Sequence, residues 1–274
     1  MDDLKFHTIG FVGAGKMATA IAKCVIADGH PADKVNAYDV SAAALVEFTE
    51  ASRARGVVAH DPGPALENAA VVVLAVKPQN AHEALAMCKP FLKGKLIISI
   101  MAGVSVAKVA EMSGGELRVV RVMPNIAALV GAGASAFAIA EKVTAIDRMW
   151  VKQLLGAVGD ICEVKESMLD AVTGLSGSGP AYVFEFVQAL AFGGVWAGLP
   201  RDVALKLAVQ TVLGSAQMLH ETMEHPAVLR DQVTSPGGTT AAGLAVLEKA
   251  AFCGAVAEAV FKAAERSREL GRAL

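Results

Sequence analysis

The stretch IGFVGAGKMATAIA, residues 9–22, decides how the chain is read. An apolar run over residues 6–12, interrupted only by His7, Thr8 and Gly10, meets Gly13-Ala14-Gly15 and then a helical pattern. That order predicts a buried strand turning sharply into a helix. Gly13 suits a turn that other residues would strain, and Gly15 lets the backbone approach a pyrophosphate. Ala18, in the third position, allows the helix to pack close to the strand. The amides at the helix start then face an anion. A glycine-rich structural turn would carry the same residues, but the position between a strand and a helix favours a dinucleotide site.

Working outward, residues 34–38 are short and apolar enough to form a second strand ending at Asp39. An acid at that strand end, about 20 residues beyond the glycines, hydrogen-bonds ribose hydroxyls and repels a 2′-phosphate, so Asp39 leans toward NADH. The plainer alternative is a surface Asp capping the helix from Ala42. Further strands are expected at 56–59, 71–76, 96–100, 117–122, 134–140 and 160–163, with a helix over 147–156. Runs without alternation, such as 71–76, belong to parallel strands covered on both faces. Ligands lie beyond the carboxyl ends of such strands, which places Ala75, Val76, Lys77 and Pro78 beside the cofactor. Met101-Ala102-Gly103 supplies small residues where a nicotinamide ring would lie flat. The order of elements predicts βαβ units throughout, an α/β fold with a doubly wound, mostly parallel sheet.

Bulk properties exclude several classes. At 274 residues the chain has room for two domains. A net charge of −2 with scattered Lys and Arg argues against nucleic acid. The mean hydropathy of +0.47 is high, yet the apolar runs are strand-sized and fall far short of the roughly 18 residues of a membrane span. The excess comes largely from alanine and hints at surface hidden between subunits. Met1-Asp2-Asp3 lacks the start of a signal peptide, and a cytoplasmic protein is expected. Cys24, Cys88, Cys162 and Cys253 form no CxxC pair and are read as reduced, buried, small hydrophobes. His220 to His225 resembles an HExxH helix, but Glu224 occupies the place of the second His, so no metal is expected.

Beyond about Lys165 strand-like runs give way to long alanine-rich helices, the composition shift of a domain boundary, so residues 1–165 and 166–274 are taken as two domains. Ser178 is expected to cap a helix that has Pro180 in its first turn and runs to about Ala197. Between Tyr182 and Trp196 only Glu185 and Gln188 are polar, so nearly every face of that helix needs cover. A second long helix runs to about His220. Ser235, Pro236, Gly237 and Gly238 then make a loop with free amides at a helix start, ready to hold a carboxylate, with the hydroxyls of Thr239 and Thr240 beside it. Alone, this is a capped helix after a flexible turn. Coupled to a dinucleotide domain it reads as a substrate pocket.

Taken together, GAGKMA, AVKP, Arg121-Val-Met-Pro-Asn125, DAVTGLSGSGPAY and the block from Asp231 to Glu248 resemble the pyrroline-5-carboxylate reductases across nearly the whole chain. The resemblance implies a Rossmann domain followed by an all-α domain that interlocks with its twin in a homodimer, dimers assembling into larger rings. It implies transfer of a hydride from NADPH or NADH to the imine carbon of 1-pyrroline-5-carboxylate, giving L-proline. By motif position Thr240 is the catalytic hydroxyl near the imine nitrogen, and Asp231, Val233, Ser235, Gly237, Gly238 and Thr239 complete the substrate pocket. The cofactor residues are Gly13, Ala14, Gly15, Lys16, Met17, Asp39, Ala75, Val76, Lys77, Pro78, Met101, Ala102, Gly103 and Asn125. Two positions depart from the pattern: Gln232 follows the loop Asp, and Asp61-Pro62 stands where an Asn is common. The rivals are a related imine reductase or a 3-hydroxyacid-type dehydrogenase, and a non-catalytic nucleotide-binding protein. The dehydrogenase type places a catalytic Lys on an interdomain helix, and DAVTGLSGSGPAY holds none. Intact Gly237, Gly238 and Thr240 count against a non-catalytic protein.

Overall fold

The computed structural model describes residues 3–115 and 117–273. Met1 and Asp2, on which the reading of the amino terminus partly rests, lie outside them. The chain divides into two compact units, residues 1–178 with 262–274, and residues 179–261.

Among the described residues the first unit is built on eight strands: β1 (Thr8–Val12), β2 (Val35–Tyr38), β3 (Val58–Ala59), β4 (Ala69–Leu74), β5 (Leu96–Ser99), β6 (Arg118–Met123), β7 (Gly133–Ile139) and β8 (Gly159–Glu163). They form one sheet in the order β3-β2-β1-β4-β5-β6-β7-β8. Helices α1 (Lys16–Ala27), α2 (Ala42–Ser52), α3 (Pro62–Leu66), α4 (Ala81–Cys88), α5 (Val106–Ser113) and α6 (Ala145–Gly156) connect them. Continuous apolar runs become strands here because both faces are covered. Ile9, Phe11, Val71, Val73, Leu96 and Ile98 pack into one core, whereas Val12, Val72, Leu74 and Ile97 pack into the other. Neighbouring residues of a strand thus enter opposite cores, as the period of two requires.

Among the described residues all strand pairings are parallel except one. β6 and β7 run antiparallel, with Val120 opposite Ile139 and Met123 opposite Ala136. The expectation of βαβ units throughout is therefore corrected. Only a short 3-10 turn over Ile126–Val130 separates these strands, and a parallel crossover needs a dozen or more residues. β4 also ends at Leu74, which pairs with Val12 at the end of β1, so Ala75 and Val76 leave the sheet.

After β8 the chain makes α7 (Leu169–Val172), a π-type turn over Thr173–Gly177, and α8 (Gly179–Trp196). Ser178 has helical backbone angles and donates its amide to the Thr173 carbonyl at 2.8 Å, so it continues the helical path rather than capping α8. Pro180 has no amide to donate, and the wide turn directly before it accommodates the interruption.

The second unit contains α8, α9 (Arg201–Thr222), α10 (Pro226–Gln232), α11 (Thr239–Lys249) and the first part of α12 (Phe252–Ala273), whose later residues belong to the first unit. α8 and α9 approach closely at Gly194, where an added Cβ would lie 3.1 Å from that of Ala204. Their other faces are bare in the single chain: Phe184 is 65% and Trp196 90% exposed. None of the described helices is long and apolar enough to cross a membrane.

Two of the cysteine expectations are overturned. Cys88 is buried, and burial pushes its thiol up to about 12, and Cys24 is half-buried, but Cys162 and Cys253 are exposed. His225, the last residue of the HExxH-like stretch, caps α10 by accepting the Ala227 amide at Nδ1.

Candidate active site

Between β1 and β4 the strand order reverses, and a crevice opens at the carboxyl ends of the two strands. The chain leaves β1 through Gly13, whose φ of +95° suits glycine and whose amide donates to the Tyr38 carbonyl at 2.8 Å. A Cβ there would stand 2.9 Å from the backbone of Ala75, so the turn closes only around glycine. Gly15 differs. Its backbone is extended, it occupies the N-cap of α1 with no side chain closing the helix end, and a Cβ built on it meets nothing within 4 Å. The first amides of α1 therefore border open space, a cradle fitting a pyrophosphate. Ala18 is fully buried and lets α1 lie against the sheet.

Asp39 closes this loop from the side. Its Oδ2 accepts the Ala14 amide and its Oδ1 the Ser41 amide, both at 2.8 Å. Ser41, not Asp39, caps α2, its Oγ accepting from the Ala44 amide. The alternative reading of Asp39 as the cap is thereby corrected, and the carboxylate belongs to the glycine turn. Gly13, Gly15, Asp39, Ala75, Val76 and Lys77 line one cavity of about 340 Å³, together with Tyr38, Asn80, Glu83 and Met87. The last three lie on α4 or the turn before it. Sequence reasoning missed them, although their position directly after the strand-end turn was a usable signal.

The other expected cofactor residues are spread more widely. Pro78, Ala102 and Gly103 line a second cavity of about 450 Å³ in the same unit, closed by Ala263, Arg266 and Leu270 of α12. Gly103 is positive in φ, and a Cβ on Gly271 would lie 3.0 Å from its carbonyl oxygen, so α12 runs close along this turn. Ala14 is buried under the glycine turn, Lys16 is exposed and Met17 half-buried at the start of α1. Met101 lies in the core and lines neither cavity, and Asn125 is nearly buried, its Oδ1 accepting the Ala134 amide at 3.2 Å.

In the second unit the polypeptide leaves α10 at Gln232 and enters α11 at Thr239. Asp231, in the last turn of α10, is exposed and pairs with Arg230 at 2.9 Å, while Val233 stands 64% exposed. Gly237 turns the loop with φ +67°, and the Gly238 amide donates to the Ser235 carbonyl at 3.0 Å. A Cβ on Gly238 would fall 2.5 Å from the Ser235 hydroxyl, so glycine there is what lets the hydroxyl fold over the helix start. Gly238 is the N-cap of α11 and carries no capping side chain. The loop gathers Ser235, Gly237, Gly238, Thr239 and Thr240 around one set of unsatisfied helix amides, with Thr239 exposed and Thr240 half-buried. An anion held by these amides would have hydroxyls beside it.

Two family models match the chain: one described as pyrroline-5-carboxylate reductase dimerisation over residues 166–270, and one described as NADP oxidoreductase, coenzyme F420-dependent, over residues 8–103. The pyrroline-5-carboxylate reductase of Arabidopsis thaliana is 45% identical, covering 96% of this chain and 95% of its own length. That of Synechocystis is 44% identical, covering 96% and 98%. The chain belongs to the pyrroline-5-carboxylate reductase family. A solved structure of this family from Coxiella burnetii superimposes with a TM-score of 0.90 at 34% identity, covering 96% of this chain and 98% of that one. Another, from Plasmodium falciparum with NADP bound, gives 0.86 at 33% identity, covering 98% and 100%. The family resemblance read from the sequence, and the Rossmann-like sheet followed by a helical dimerisation domain, are thus established.

Proposed function

We propose that this chain is an NAD(P)H-dependent oxidoreductase reducing the C=N bond of 1-pyrroline-5-carboxylate to give L-proline. The observation that carries the proposal is the coexistence, within one member of this family, of an open pyrophosphate cradle at Gly15 and an amide-and-hydroxyl loop at Ser235–Thr240. When bound, the reduced nicotinamide would supply the hydride that the imine carbon accepts, the C=N electron pair passing to nitrogen, which takes or already carries the proton that completes the amine.

The chain's own residues then have distinct tasks. The amides following Gly15 hold the pyrophosphate, Asp39 and Lys77 flank the adenosine ribose, and Pro78, Ala102 and Gly103 give flat walls for the ring. Ala14, Lys16, Met17, Ala75 and Val76 shape the turns around the dinucleotide, and Met101 and Asn125 support them from the core. Amides at the start of α11, with Ser235, Gly237, Gly238 and Thr239, hold the substrate carboxylate. Thr240 donates to the imine nitrogen, which withdraws electron density from the neighbouring carbon. On a ring that arrives already protonated, Thr240 orients the nitrogen instead. Asp231 and Val233 border this pocket from α10.

Residues 166–274 are proposed as the dimerisation and substrate-binding domain, following 1–165 as the dinucleotide domain. The bare apolar faces of α8 and α9 are proposed to pair two copies, and pairs to build larger rings. A cytoplasmic enzyme that engages neither nucleic acid nor membrane completes the proposal. The test is direct: adding pyrroline-5-carboxylate to the protein with reduced nicotinamide should oxidise the nicotinamide. No oxidation with either NADH or NADPH would reject it.

A further inference from the structure

We propose that the adenosine end of the nucleotide site selects NADH over NADPH, through the carboxylates of Asp39 and Glu83 on the walls of one cavity. The proposal rests on the dinucleotide site proposed above and asks which of the two cofactors that site prefers.

Three features support it. The first is how Asp39 is held. Its two oxygens take the amides of Ala14 and Ser41, which fixes the carboxylate at the cavity wall. An ionised carboxylate accepts about four hydrogen bonds, so two places remain, enough for the two hydroxyls of an adenosine ribose. A 2′-phosphate offers no donor at neutral pH and brings negative charge to the same place.

The second is that the described residues around Asp39 build no phosphate site. The Ser41 amide is spent on Asp39, and the Ser41 hydroxyl on capping α2. The first arginine after Asp39 is Arg53, at the far end of α2, about 16 Å away along an 11-residue helix. His60 directs its Nδ1 to the Asp39 carbonyl at 3.1 Å. Among the described residues Lys77 is the one lysine or arginine on the cavity wall, which it shares with two carboxylates.

The third is Glu83, exposed on α4 and lining the same cavity. The negative field of this pair is felt by Tyr38: burial first, then Cys88, Asp39 and Glu83, hold its phenol above the usual range. Carboxylates on the same cavity wall disfavour an incoming phosphate dianion by like-charge repulsion.

The test is binding of NADH and of NADPH to the full chain without substrate, followed by calorimetry or nucleotide fluorescence. NADH should bind at least tenfold more tightly, about 1.4 kcal/mol. Asp39→Ser should narrow the ratio tenfold or more, chiefly by tightening NADPH. Glu83→Gln, at an exposed helix position that leaves folding intact, should narrow it by a smaller factor. Because both carboxylates are solvent-accessible, the ratio should also fall as ionic strength rises from about 0.01 to about 1 M, where the screening length shrinks from about 30 to about 3 Å. Equal or tighter binding of NADPH by the unaltered chain, or a ratio that neither variant moves, would overturn the preference alone. Binding of neither dinucleotide would overturn the site itself.

Discussion

Gly13 and Gly15 stand two residues apart in one turn, yet alanine at each should do different things. At Gly15 the backbone is extended, with φ −74° and ψ 179°, and a methyl meets no atom within 4 Å. Gly15→Ala should therefore change folding stability by less than about 1 kcal/mol, the loss of a glycine cap being offset by a stiffer unfolded chain. The methyl projects into the space where the pyrophosphate would lie, displacing at least one charge-assisted hydrogen bond worth about 1.5–3 kcal/mol, or about 10- to 150-fold in Kd. At Gly13 the left-handed φ costs an alanine about 1–2 kcal/mol, and contact with the immobile Ala75 backbone about 1–3 more. Gly13→Ala should then lose about 2–5 kcal/mol of stability and bind nucleotide poorly because the turn opens. Urea unfolding together with titration of reduced nicotinamide separates the two effects. A Gly15→Ala protein that binds NADH like the unaltered chain would refute the cradle. One that unfolds like Gly13→Ala would show that the loop is only a structural turn.

Other expectations follow from single groups. Thr240→Ala should lower kcat about 10²-fold while leaving the Kd for reduced nicotinamide unchanged; steady-state kinetics beside a binding titration checks this, and lost cofactor binding would contradict the placement. Asp147 is fully buried, accepts Arg118 Nη1 at Oδ1, and closes a capping box with Thr144, so Asp147→Ala should cost about 2–5 kcal/mol in urea unfolding. A loss below about 1 kcal/mol would refute that role. His30 is 5% exposed with Nε2 unpartnered, and burial holds its pKa below the ordinary 6.5. The unfolded chain then binds the proton first, so His30's contribution is complete above pH 6.5 and erodes as pH falls below it, by at most about 1.4 kcal/mol per pH unit. His30→Leu should flatten that acid-side slope in a series of unfolding curves, and an unchanged slope would refute the assignment.

The sheet was legible in the chain because parallel strands covered on both faces must be apolar at every position, as Val71, Val72 and Val73 are. Strand direction was less so. Nothing in the residues of β7 states which way it runs; the shortness of the link from Met123 to Gly133 did, since it leaves no room for a crossover helix. Gly13 was readable as the tight turn because a positive φ and the close approach of the Ala75 backbone restrict that position to glycine. What escaped were walls supplied by side chains ordinary in composition: Glu83 and Met87 on α4, and Leu270 and Arg266 on α12, where the chain returns to the first unit. An amphipathic helix announces that it packs, not what it packs beside. Cys162 and Cys253 were misread for a similar reason, since cysteine burial is a tendency of the residue type and not a rule at each position.

In the proposed reaction a hydride reaches the carbon of an imine whose nitrogen Thr240 serves. The most direct measurement of that transfer is turnover of pyrroline-5-carboxylate with nicotinamide deuterated at the transferring position, the product read by mass spectrometry and NMR. The product should be L-proline carrying one deuterium, on the ring carbon that had been double-bonded to nitrogen, with little of it from the Thr240→Ala protein. Proline formed without the label, or no consumption of reduced nicotinamide by the unaltered chain, would contradict it.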